Sequence, residues 1–111
     1  MKGRVKMTDY CIITTTFPDK ESAKSMAKLL VEKRLAACVQ ILPIESIYSW
    51  QGKICNENEV MLIIKTRESL FNEIADTIKQ NHIYNIPQIV KLQITGGSPE
   101  YLQWIKECTE K

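Results

Sequence analysis

Five residues in this 111-residue sequence have side chains suited to nucleophilic or metal chemistry: Cys11, Cys38, Cys55, Cys108 and the single histidine, His82. A cysteine nucleophile needs a base within hydrogen-bond reach and a third group to orient that base. Cys38 and His82 form such a pair on paper, but their positions in the chain do not establish proximity. No two cysteines stand close enough for a CxxC redox or zinc motif. Cys11 and Cys38 lie in apolar runs, where cysteine behaves as a small core hydrophobe. Cys55 lies in a polar segment and is expected to be exposed. No dinucleotide fingerprint, Walker phosphate loop or nucleophile elbow is present.

One histidine excludes a His-rich metal cage within one chain. Imidazole and thiolate suit copper or zinc, and symmetry between subunits would multiply His82. A second set is polar and aromatic: Tyr48, Trp50, Glu59, Lys65, His82 and Tyr84, all near strand ends and loops. Such residues line clefts that take small ligands. They serve equally well as hydrogen-bonding and aromatic contacts at an interface.

The net charge of +2 is too small to argue for nucleic acid or an anionic membrane as partner. A short basic tail over residues 1–9 precedes a single domain over residues 10–111. No signal-length apolar run follows the tail, and no stretch approaches the ~20 apolar residues of a membrane span. These features predict a soluble, cytoplasmic protein.

The elements that must hold these residues are readable. Tyr10 to Phe17 predicts a strand. Asp19 caps a helix in which Ala23, Met26, Ala27 and Leu30 recur at helical spacing, ending near Arg34. Ala36 to Tyr48 is extended, and Pro43 predicts a bulge or an edge position. Trp50 to Lys53 reads as a turn. Glu59 to Thr66 is a strand, with Thr66 as the candidate cap of a second helix carrying Leu70, Ile74 and Ile78. A loop spans His82 to Pro87, and Ile89 to Ile94 alternates as a strand. Ser98 and Pro99 open a last helix. The order predicts an α+β, ferredoxin-like split βαβ arrangement, with an antiparallel sheet, two helices on one face and a C-terminal helix.

Val60, Met61, Leu62, Ile63 and Ile64 are apolar on both faces of their strand, whereas a sheet with one wet face alternates. A second subunit covering the free face resolves this. The expectation is a homo-oligomer.

Five segments together resemble the CutA family of divalent-cation tolerance proteins. They are Ala36-Ala37-Cys38-Val39-Gln40-Ile41, Ser46-x-Tyr48-x-Trp50-x-Gly52-Lys53-Ile54, Glu59-x-x-Leu62-Ile63-Ile64-Lys65-Thr66, His82-Ile83-Tyr84-Asn85-Ile86-Pro87 and Tyr101-Leu102-x-Trp104-Ile105. The resemblance implies a homotrimer linked to tolerance of copper or another divalent cation, without an enzymatic reaction. At positions where family members carry ligand-type residues, this sequence has Thr15, Asn81, Asn85 and Gln88. Only His82 matches, so a weak metal site near His82 is the expectation. Tyr48, Glu59, Lys65 and Tyr84 are expected to line an inter-subunit cleft. The alternative is a ligand-sensing or regulatory trimer that takes a small molecule or partner protein in that cleft.

Overall fold

A computed structural model describes residues 9–110. The basic tail therefore lies outside the described residues, apart from Asp9. The elements are β1 (Tyr10–Phe17), α1 (Lys20–Glu32), β2 (Cys38–Trp50), β3 (Lys53–Arg67), a 3₁₀ turn (Glu68–Leu70), α2 (Phe71–Gln80), β4 (Val90–Gln93) and α3 (Pro99–Thr109).

Local chemistry explains most boundaries. The Asp19 carboxylate accepts from the Ser22 N–H at 2.7 Å, satisfying an orphan donor of α1. Ala23, Met26, Ala27 and Leu30 form its buried stripe, as their spacing predicts. Arg34 then takes a left-handed conformation (φ 58°) and turns the chain out of the helix. Ser98 caps α3 with Pro99 in the first turn. One expectation fails. Thr66 does not cap α2: it stays inside β3, and its hydroxyl donates to the Leu35 carbonyl at 2.5 Å. A 3₁₀ turn leads into α2 instead.

The four strands pair antiparallel in the order β2-β3-β1-β4. With the helices between them, this is the ferredoxin-like topology. β2 is an edge strand, as Pro43 requires. Its register with β3 runs without a bulge from Cys38↔Lys65 to Trp50↔Lys53. Gln51 (φ 50°) and Gly52 (φ 77°) close a two-residue turn of the type that matches strand twist. β3 is longer than its apolar run, because polar residues from Lys53 onward also pair.

The two sheet faces are used differently. Cys11, Ile13 and Phe17 of β1 and Leu62 and Ile64 of β3 pack with α1 and α2 in the main core. On the other face, α3 covers only one end, where Leu102 and Ile105 bury Tyr10. The register aligns Leu92 with Ile12 and Val90 with Thr14 on the rest of that face. Leu92 remains 52% exposed and Val90 45%. Pairing with β1 stops at Phe17↔Val60, so the hairpin beyond it is two-stranded. This projection gives the molecule a long axis of 52 Å against 25 and 21 Å. Cys11 is buried as expected, but Cys38 and Cys55 are both half-buried.

Candidate functional site

The loop after α2 carries His82 back to the end of β1. The Tyr84 N–H donates to His82 Nδ1 at 3.1 Å. Nδ1 is therefore the acceptor, and protonated Nε2 donates to the Thr16 carbonyl at 2.7 Å. Phe17 stacks on the ring at 4.3 Å between centroids, and Tyr84 lies at 4.7 Å. A neutral imidazole binds metal through a free nitrogen lone pair, and here both nitrogens are engaged. Among the described residues no group of three or more His, Cys, Asp and Glu is placed to hold a metal ion. The residues of one chain do not fit a divalent metal at His82.

The other compared positions have separate roles. The Thr15 hydroxyl is buried and has no hydrogen-bond partner among the described residues. Asn81 donates to the Thr77 carbonyl at 2.8 Å, and Gln88 to the Thr14 hydroxyl at 3.2 Å. Asn85 lines the groove described below. The Cys38–His82 dyad is also absent. Cys38 is level with Ile12, two strands away, whereas His82 bonds Thr16 four residues further along. That offset alone is roughly 13 Å.

Three of the four cleft residues do converge. The Tyr84 hydroxyl donates to Glu59 Oε2 at 2.9 Å. The Tyr48 hydroxyl donates to Glu57. Tyr48, Trp50, Glu57, Glu59, Tyr84 and Ile86 line a groove of about 700 Å³ between the hairpin and the 82–88 loop. Glu57 was not singled out from the sequence. The signal was there, since residues two apart in a strand share a face. Only the length of β3 makes that rule apply to Glu57 and Glu59. The hydrogen bond to Glu57, followed by desolvation, pushes the Tyr48 hydroxyl up to about 12. Burial, followed by the bond to Glu59, raises Tyr84. Both phenols therefore stay protonated donors at neutral pH.

Lys65 is not part of this groove. It lies six residues along β3 from Glu59, roughly 20 Å away. Its ammonium stands 5.3 Å from the centre of the Tyr101 ring on α3. Within one chain the two stand apart, because residues six apart share a face of the strand but not a location.

Fold and site together define a ferredoxin-like α+β domain with an acidic, aromatic groove along its projecting hairpin. Residues 11–108 match the family model described as CutA1 divalent ion tolerance protein. The chain belongs to the CutA1 family.

Among similar proteins, chloroplastic protein CutA of Arabidopsis thaliana is 42% identical over 110 residues, covering 98% of this chain and 60% of the relative. The chain thus spans about three fifths of that plant relative. The divalent-cation tolerance protein CutA of Thermus thermophilus is 43% identical over 99 residues, covering 88% of this chain and 96% of the relative. A solved structure of the periplasmic divalent cation tolerance protein CutA from Archaeoglobus fulgidus superposes with a TM-score of 0.89 at 44% identity, covering 91% of this chain and 99% of that one.

These descriptions correct the cytoplasmic expectation, since one relative is named chloroplastic and another periplasmic. Compartment does not follow from this domain's composition. No helix among the described residues is long and apolar enough to cross a membrane.

Proposed function

We propose that this protein serves divalent-cation tolerance as a non-enzymatic binding protein that works as a homotrimer. The exposed apolar sheet face carries the assembly reading. Val90, Leu92 and Leu42 are 45%, 52% and 36% exposed there. The two-stranded hairpin adds support, because an isolated ribbon is marginally stable until something packs on it. The number three comes from the family resemblance, and the tolerance role from relatives named for it. The net charge of +2 supports neither nucleic acid nor membrane as partner.

Among its described residues a single chain places no donor set for copper or another divalent cation. We therefore place cation uptake between chains, where symmetry repeats each donor. Sedimentation of wild type and Leu92→Glu with equilibrium dialysis against copper tests both parts. The expected result is a three-chain species that binds copper, and a dissociated variant that does not. A stable wild-type monomer at micromolar concentration would overturn the assembly. Copper retained by the dissociated variant would overturn the shared site.

A second reading is favoured by the convergence of Tyr48, Glu59 and Tyr84: a ligand-sensing or regulatory trimer that takes a small molecule in this groove. Its volume of about 700 Å³ suits a small ligand.

A further inference from the structure

We propose that the end of the hairpin, through Ile47 and Ile54, docks into the hollow between α2 and the 84–89 loop of a second copy of this chain. The inference rests on the reading of the protein as an assembly of three chains and names a contact that closes the ring.

Ile47 is 69% exposed and Ile54 78%. The two lie on one face of the hairpin. Val39 pairs with Ile64 and Ile41 with Leu62, and Ile64 and Leu62 belong to the main core. Side chains two apart in a strand share a face. Ile47 and Ile54 therefore continue this helix-facing row past the part that the helices cover. Their face is opposite the one that carries Tyr48, Glu57 and Glu59. Their own register partners, Asn56 and Ser49, are uncharged. The hairpin thus ends in a small apolar knob with neutral neighbours.

The hollow is the matching half. It has a volume of about 660 Å³, and Phe71, Ala75, Pro87 and Ile89 line it. Phe71 and Ile89 also pack against the main core. An apolar group seated there extends that core and removes its edge from water. Asp76 and Lys79 line the hollow as well. Their opposite charges favour neither an anion nor a cation, which suits a neutral knob. Among the described residues, none from the hairpin lines the hollow of its own chain.

Sheet geometry points to a second copy as the occupant. β2 and β4 are the two edges of the sheet. Three antiparallel pairings separate them, so they run in opposite directions. A second copy set beside β4 in the same orientation brings its β2 antiparallel to β4, with both helix layers on one side. β2 ends and β4 begins at the same end of the sheet. The helix-facing side of the incoming hairpin then lies over α2 and the 84–89 loop. Closed rings use contacts of this head-to-tail kind, in which two different patches meet. The contact also supplies the packing that an isolated two-stranded ribbon lacks.

The test uses the full chain. With the photoreactive residue p-benzoylphenylalanine in place of Ile54, irradiation is expected to join two chains. Peptide mass spectrometry is expected to find the joint within residues 71–89. The Ile47→Thr/Ile54→Thr variant keeps branched side chains and strand preference while removing apolar surface. Its three-chain species is expected to dissociate, by sedimentation, at a concentration about tenfold or more above that of wild type, with unchanged far-ultraviolet dichroism. Should that variant misfold, the position of the photochemical joint decides. A joint outside residues 71–89, no joint between chains, or a folded variant that assembles as wild type does overturns this contact and leaves the three-chain reading standing. A wild-type monomer at micromolar concentration overturns both.

Discussion

His82 Nε2 donates to the Thr16 carbonyl at 2.7 Å, and this bond ties the loop after α2 to the end of β1. With the Tyr84 N–H on Nδ1 and the stack on Phe17, it makes His82 a strut. His82→Ala is expected to cost about 1–3 kcal/mol of stability, from two hydrogen bonds and one aromatic contact. Urea unfolding measures this. Copper affinity of the assembled protein is expected to stay the same. A tenfold loss of copper affinity with unchanged stability would restore His82 as a ligand.

Two buried threonines have opposite expected effects. Thr66 donates to the Leu35 carbonyl at 2.5 Å, whereas the Thr15 hydroxyl has no partner among the described residues. Thr66→Val should destabilise by about 1–3 kcal/mol, because it strands a buried carbonyl. Thr15→Val should stabilise by about 1 kcal/mol, because it removes an unpaired buried hydroxyl. Urea midpoints of the two variants moving in the same direction would refute this contrast.

Arg67 anchors the last turn of α3. Its Nε donates to the Thr109 hydroxyl at 2.8 Å and its terminal nitrogen to the Thr109 carbonyl at 2.9 Å. Arg34 reaches the same turn, at the carbonyls of Glu107 and Glu110. Cations there favour the helix C-terminus and satisfy its orphan carbonyls. Arg67→Met should raise amide hydrogen exchange throughout α3 while leaving α1 protected. Uniform loss of protection across the chain would point to global destabilisation instead.

Alkaline stability should follow Cys11. Burial, and after it the Glu68 carboxylate, pushes its thiol from 9.0 up to about 11. Tyr10 is shifted upward as well, chiefly by burial. The folded state therefore holds these protons more tightly than the unfolded state. The contribution is complete below about pH 9 and is lost as pH rises through about pH 11. Urea midpoints should fall across that window, and Cys11→Ala should flatten the fall. An unchanged slope in the variant would exclude Cys11 as its source.

Much of the fold was legible because its determinants are local. Asp19 and the Ser98-Pro99 pair mark helix starts by chemistry confined to one turn. The Gln51-Gly52 turn needs only two residues with positive φ. Pro43 assigned β2 to an edge because proline lacks the N–H that a central strand must donate. The doubly apolar run of β3 pointed to an uncovered face. That face is present and partly exposed, with α3 across one end of it.

The site was less legible, because its groups meet across strands and loops. Tyr84 and Glu59 are 25 residues apart, and only the fold sets their hydroxyl and carboxylate 2.9 Å apart. Lys65 looked equivalent to Glu59 from the sequence, yet the straightness of an extended strand carries it to the opposite end of the sheet. Glu57 stayed hidden because the polar start of β3 shows no apolar alternation, although backbone pairing extends through it. The sequence by itself determined the elements, their order and the caps, since each depends on interactions spanning only a few residues. The tertiary structure decided which side chains share the groove and left His82 without a free lone pair, because register and loop return set distances that no local preference encodes.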